Sequence, residues 1–432
     1  MGYVIPLHYE LEFEPLFNNF TFNGSEIINV NFQSSTDLVT LDAAELKIKN
    51  FKIYLAANAI NEIGFMCRFT AIGWLSYELT DSPLFVGTLA ASAGVSMSLL
   101  SFFGGILADR YSKPKIIIIS KSMESLIILL IGVLIQINKI DELTLIILMF
   151  INGILAAIYV PSRIGFVKEL SGTELLLPAT ALDFGVMTLV GTFVPTLAGL
   201  LIEKISLSFT LYFSFVAYIL HNLFMFPLIN KGQKYDHSKD LQIIKSIKYI
   251  FNLNIIKYLF IIMLATAILI FGLETLSPVI AKDIFNTGPT GFGILLSSAG
   301  FGMAVACFTV ASIKSININK LLTISIAGGG IALMAFAFSS NFLIGMILFA
   351  VLFSLAASSE SAITTLIQTS VPDNMRGKVI SIQTFTWGIS SLTGILSGYI
   401  SQQYGITLFI FISGIILLTL TPITRLIAKE IK

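Results

Sequence analysis

Charge is what this chain has least of: only 12% of its 432 residues are Asp, Glu, Lys or Arg, against a hydrophobic share of 55%. Soluble domains carry roughly 25% charged residues, so a water-covered fold of this length is excluded. A bilayer removes the difficulty, because lipid replaces the polar surface. The formal net charge of +1 leaves no basic domain to neutralise phosphates, which argues against nucleic acid as a partner. Cysteine is nearly absent. Cys67 and Cys307 both fall in apolar stretches with no CxxC pair, so no disulfide framework is expected. The histidines, His8, His221 and His237, are scattered and no HExxH occurs, which excludes zinc-peptidase chemistry. No G-x-x-x-x-G-K-[ST] loop occurs either, so direct drive by ATP is disfavoured. No metal and no cofactor are expected.

What the chain does have is long apolar runs, preceded by a different kind of segment. Residues 1–50 alternate polar and apolar side chains with a period near two, as in Tyr9-Glu10-Leu11-Glu12-Phe13 and Glu26-Ile27-Ile28-Asn29-Val30-Asn31-Phe32, with Asn23-Gly24 as a turn signal between such runs. Two or three short strands are expected there, marginal on their own. A hydrocarbon core about 30 Å thick needs about 20 helical residues. By that measure the rest of the chain holds twelve spans in two groups of six: Phe51–Leu79, Leu84–Ala108, Ile116–Ile137, Leu143–Pro161, Leu175–Ile202 and Leu207–Ile229, then Ile255–Ala281, Gly291–Ile313, Leu321–Ser339, Phe342–Thr369, Val379–Gln402 and Ile406–Ile427. The expected organisation is a strand-like segment (1–50), a first six-helix bundle (51–229), a linker (230–254) and a second bundle (255–432). In the linker, apolar residues at helical spacing with Lys245 and Lys248 between them fit a helix lying on the inner membrane surface.

Basic residues set the orientation. With the amino terminus inside, Lys139, Lys204 and Lys282 fall outside and Arg68 within a helix. Every other Lys and Arg falls inside, with Lys121 counted in the second-third loop and Arg163 in the fourth-fifth. Both termini are therefore expected in the cytoplasm, and the chain in the cell membrane. The two groups also repeat weakly. Glu174 to Ala179 opens the fifth span where Asn374 to Val379 opens the eleventh, and Gly199 and Gly398 fall at matching depths.

The loop after the second span reads Gly104-Gly105-Ile106-Leu107-Ala108-Asp109-Arg110-Tyr111-Ser112-Lys113-Pro114-Lys115. It resembles the signature loop of the major facilitator superfamily, G-x-L-A-D-R-x-G-R-K, with Ser112 in place of the glycine and Pro114 in place of a basic residue. Leu79-Thr80-Asp81-Ser82-Pro83, Pro161-Ser162-Arg163 and Gln368 with Val371-Pro372-Asp373-Asn374-Met375-Arg376-Gly377-Lys378-Val379 resemble the enterobactin-exporter and macrolide-efflux branch, the drug:proton antiporters. The resemblance covers essentially 51–432. It implies an all-α membrane fold of two pseudo-symmetric bundles and proton-coupled export of small amphipathic molecules by a monomer, with membrane lipid as its surroundings. An importer or uniporter on the same scaffold is the alternative, and a non-transporting receptor or scaffold a distant third. In the signature loop a carboxylate can sit against the positive end of a neighbouring helix and pair with nearby bases. A conformational latch is accordingly expected of Gly105, Asp109, Arg110 and Lys113, with Arg163 and Arg376. Gly185, Gly191, Pro195 and Gly199 partly resemble the antiporter motif of the fifth helix, where small residues permit close approach.

Charges inside the spans cost roughly 2.5–3.5 kcal/mol each at the helix centre on insertion scales, so each needs a reason. Glu62 lies mid-depth in the first span beside Asn58 and Asn61, Asp183 in the fifth, Glu274 in the seventh and Glu360 in the tenth. A carboxylate there can alternate between neutral and ionised as its surroundings open to each side, which makes these four the candidates for proton coupling. The family architecture implies that the first, fourth, seventh and tenth helices line the cavity, placing Glu62, Glu274 and Glu360 near it. A structural pair neutralising itself, with Arg68 as partner, is the plainer alternative. Asn58, Asn61 and Trp387 are the candidates for the substrate path.

A second resemblance covers only the first fifty residues. His8-Tyr9-Glu10-Leu11-Glu12-Phe13, Phe20-Thr21-Phe22-Asn23-Gly24 and Leu41-Asp42-Ala43-Ala44-Glu45-Leu46-Lys47-Ile48 look like the opening strands of M1-family aminopeptidases, without any of the catalytic region.

Overall fold

The computed structural model describes residues 4–16, 21–32, 44–172, 175–231, 254–312, 317–370 and 392–430. By internal contacts it divides into two units, Met1–Lys47 and Ile48–Lys432. In the first, strands β1 (Val4–Leu16) and β2 (Thr21–Phe32) form an antiparallel hairpin that pairs Val4 with Phe32 and Leu16 with Thr21, with an irregularity between Pro6 and His8. Asn23 and Gly24, expected to turn, instead lie within β2 opposite Glu14 and Phe13. The long regular register on both sides of the pair overrides their turn preference.

The second unit is helical: α1 (Ala44–Thr80), α2 (Pro83–Arg110), α3 (Lys113–Gln136), α4 (Glu142–Ser171), α5 (Leu176–Lys204) and α6 (Leu207–Met225), then α7 (Asn254–Thr266). The seventh helix does not run straight on. It continues as a π-helical turn (Ala267–Phe271), α8 (Gly272–Thr275), α9 (Ser277–Val279) and a second π-helical turn (Ile280–Ile284). The chain ends with α10 (Pro289–Ser312), α11 (Ile318–Ala337), α12 (Phe342–Ser370), α13 (Thr393–Tyr404), α14 (Ile406–Thr419) and α15 (Thr421–Glu430).

Among the described residues ten helices are long and apolar enough to cross a membrane. Of the twelve expected spans, the first is α1, whose 37 residues are interrupted by Asn58, Asn61, Glu62 and Arg68. The eleventh lies largely outside the described residues, as does the linker helix. Pro161 does not end the fourth span: α4 carries the chain ten residues further, to Ser171. Proline is tolerated inside membrane helices where neighbours re-satisfy the freed backbone groups. Helix starts are capped by side chains where the sequence supplies them. Ser82, Asp141 and Ser206 accept from the backbone N–H groups of Phe85, Thr144 and Phe209, closing otherwise orphaned donors. Large apolar side chains such as Phe193 and Phe308 stay exposed, as suits a surface facing lipid tails.

Two seams join residues 48–231 to residues 254–430. Along one, α5 meets α10, with Gly293 against Pro195, Gly300 against Gly191 and Thr196 Oγ1 2.7 Å from Ser297 Oγ. Along the other, α2 meets α13, where a Cβ on Gly394 would come within 2.9 Å of the Gly87 carbonyl. Only glycine lets these backbones touch. Both seams gather at one end of the helices. There Lys282 Nζ lies 2.5 Å from Asp81 Oδ1, Tyr77 donates to Asp283 at 2.5 Å, Ser82 donates to Gln402 at 2.9 Å and Trp74 stacks on Phe292. At the opposite end, among the described residues, no hydrogen bond or ion pair joins the two halves.

Candidate functional site

Three helices of the first half bring charge into its interior. On α1, Tyr54, Asn58 and Glu62 recur every four residues and so share one face, all three almost fully buried. Opposite them α4 supplies Arg163 and α5 supplies Asp183. The guanidinium sits between two carboxylates: Arg163 Nη1 is 2.9 Å from Glu62 Oε1, and Nη2 is 3.5 Å from Asp183 Oδ2. Asp183 is held further by Tyr54 Oη (3.1 Å) and Asn58 Nδ2 (2.8 Å), both donating to Oδ1. Asn61 Nδ2 donates to Glu62 Oε1 at 3.2 Å. Glu62 Oε2 has no partner among the described residues. The trio therefore carries two acids and one base.

A second cluster, nearer the seam end, has the opposite excess. Lys121 Nζ is 2.8 Å and Arg68 Nε 3.4 Å from the two oxygens of Glu124. Tyr218 Oη donates to Glu124 Oε1 at 3.0 Å while accepting from Arg68 Nε, and Arg68 Nη1 donates to Asn152. Lys121 also lies 4.1 Å from the ring centroid of Tyr159, one turn before Arg163 on α4. Taken together, the two clusters hold three acids and three bases inside one helical half. Burial without such compensation would be strongly destabilising.

Of the coupling candidates, Glu62 and Asp183 thus meet on one arginine. Glu274 stands apart on α8, half-buried, its carboxylate without a hydrogen bond or ion pair among the described residues. Glu360 is half-buried on α12. Asn58 and Asn61 are buried and orient the two carboxylates. Of the latch candidates, Arg163 lies within α4 at the trio, not in a loop. Lys113 pairs with Glu169 at 2.5 Å across α3 and α4, inside the first half. Arg110 is exposed at the end of α2, and a Cβ on Gly105 would meet open space. The Asp109 side chain, Arg376 and Trp387 lie outside the described residues. Lys121, assigned to a loop by the charge count, is buried within α3. Sequence reasoning also passed over Glu124, Tyr54, Tyr159, Tyr218 and Asn152. The available signal was Lys121 and Glu124, two opposite charges three residues apart inside an apolar run.

The comparisons with known proteins agree with this architecture. A family model described as transmembrane secretion effector matches residues 41–429. The peptidase M1 N-terminal domain matches only residues 5–69. The chain is 25% identical over 391 residues to the staphyloferrin A transporter of Staphylococcus aureus, covering 89% of this chain and 95% of that protein. It is 22% identical over 323 residues to the enterobactin exporter EntS of Salmonella typhimurium, covering 73% and 76%. Among solved structures, a bacterial homologue of the human lysosomal transporter Spinster superposes with a TM-score of 0.73 at 12% identity, covering 90% of this chain and 98% of the other. That likeness establishes the fold. The chain is a multi-pass membrane transporter rather than an enzyme, and it belongs to the transmembrane secretion effector family of the major facilitator superfamily.

Proposed function

We propose that this chain is a proton-coupled exporter of small amphipathic molecules, siderophore-like chelators foremost, working by alternating access. The observation that carries the reading is Arg163 held between Glu62 and Asp183. With both acids ionised the trio has one negative charge in excess, and one proton neutralises it. Asp183 is occupied by Tyr54, Asn58 and Arg163, so Glu62, with an unengaged oxygen, is the acceptor. An ionised Glu62 lets the arginine tie α4 to α1 and α5 together. A protonated one leaves the arginine to Asp183 and loosens α1 from α4. That is a change of packing set by one proton, as alternating access requires.

The excess of Lys and Arg at the Arg110 end supports a cytosolic position for that end, with both termini inside the cell membrane. The end closed by the Asp81–Lys282 and Tyr77–Asp283 contacts then faces outward. The siderophores in the names of the two relatives suggest the class of substrate. Enterobactin, staphyloferrin A and the dye ethidium are suitable probes in inside-out vesicles with an acidic lumen. Uphill accumulation that collapses with the proton gradient is expected. Accumulation indifferent to the gradient, or found only in right-side-out vesicles, would refute the reading in favour of a uniporter or an importer.

A further inference from the structure

The charge ledger of the two halves is unequal. In the first half, every described acid buried within the membrane has a base beside it. In the second, the bases whose side chains are described are Lys257, Lys282 and Lys320. Lys257 and Lys320 stand in the first turn of α7 and α11, and Lys282 stands at the seam end, in contact with Asp81. Glu274 therefore has no counter-charge beside it among the described residues. Its position in the helix is unusual too. Two π-helical turns, Ala267–Phe271 and Ile280–Ile284, bracket it, and the chain between them is a broken α-helix interrupted at Leu276. Wide turns of this kind kink a helix and are frequent at functional sites. The bracketed piece packs against α13, with Gly272 facing Ser397 on that helix and Phe409 on α14. Two residues on, at about 100° per residue, Glu274 is carried roughly 200° around the helix, away from that contact.

We infer that Glu274 is a second proton-binding site, independent of the Glu62–Arg163–Asp183 trio and governing closure of the outer seam. The charged and titratable groups on the elements around it are Lys282 and Asp283, already engaged by Asp81 and Tyr77, Tyr399 and Tyr404 on α13, and Asp109 and Arg110 at the far end of α2. None pairs with Glu274 among the described residues. An unpaired carboxylate is not enclosed in hydrocarbon as an ion without a large energetic cost. The seam therefore closes over Glu274 only after its carboxylate has taken a proton from water on the outer side. That proton leaves to the cytosol once the opposite face opens. Resting on the coupling role proposed for Glu62, this makes the cycle a two-proton one.

Infrared titration of the protein reconstituted in lipid tests the inference without a substrate. The carbonyl absorption of protonated carboxylic acids is expected to contain two components. Glu274→Gln removes one and leaves the other, and Glu62→Gln does the reverse. Glu274→Asp shifts the first component rather than erasing it, which serves if the glutamine variant does not fold. A spectrum unchanged in Glu274→Gln, or both glutamine variants erasing the same component, overturns the second site. A spectrum unchanged only in Glu62→Gln would sink the proposed coupling residue and leave Glu274 standing.

Discussion

Removing Arg163 should unbalance the first half more than any other single change. Arg163→Met keeps the length of the apolar stem but leaves Glu62 and Asp183 facing each other without a cation. The side chains are 16% and 7% exposed at the Glu62 contact, too little for water to screen the loss. Breaking a buried pair by removing one partner costs about 3–5 kcal/mol, and that is the expected destabilisation. Adding Glu62→Gln removes one of the stranded acids. Asp183 keeps Tyr54 and Asn58, so the double variant should recover about 0.5–3 kcal/mol of the loss, the range seen for directly coupled residues. Thermal unfolding in detergent of the wild type, both singles and the double closes the cycle. A cost below about 1 kcal/mol for Arg163→Met, or a double variant less stable than that single, would refute the shared arginine.

The seams give a second expectation. Gly293→Leu puts a side chain where the Pro195 carbonyl lies, so the outer seam cannot shut. Spin labels at Lys204→Cys and Gln403→Cys, both exposed at that end, should then report a longer distance than in the parent, with folding retained. At the start of α4, hydrogen bonds from Thr144 hold the exposed Asp141 carboxylate below its ordinary range. A depressed folded value stabilises above the unfolded value, about 4, and that contribution fades as pH falls through the folded one. The stability gap between wild type and Asp141→Ala should accordingly narrow on acidification. A gap that widens contradicts the cap.

Most of the fold was legible because lipid simplifies the code: an apolar run of sufficient length has to be a helix. The Asp109–Arg110 loop and the run of spans identified the scaffold. The interior of the first half was harder to read, and for one physical reason. A basic residue near a span end has two fates, loop or core, and hydropathy does not separate them. The charge count puts Lys121 and Arg163 on the cytosolic side. Both turn inward, because Glu124 on the same helix and Glu62 and Asp183 on neighbouring ones compensate them. Pro161 reinforced the error by suggesting that α4 ends before Arg163. The intramembrane acids were found one by one, but which of them share a base depends on packing between helices far apart in sequence. The break at Leu276 has a mark in Pro278, but the two π-helical turns around Glu274 leave none in an apolar stretch that reads as one span.

Proton coupling through the trio is tested most directly by Glu62→Gln in proteoliposomes, comparing gradient-driven uptake with exchange of labelled for unlabelled enterobactin or staphyloferrin A at equal concentrations. The variant should still exchange, since the pathway is intact, and should no longer accumulate either compound against its gradient. Accumulation at the wild-type level would contradict the assignment of the driving proton to Glu62.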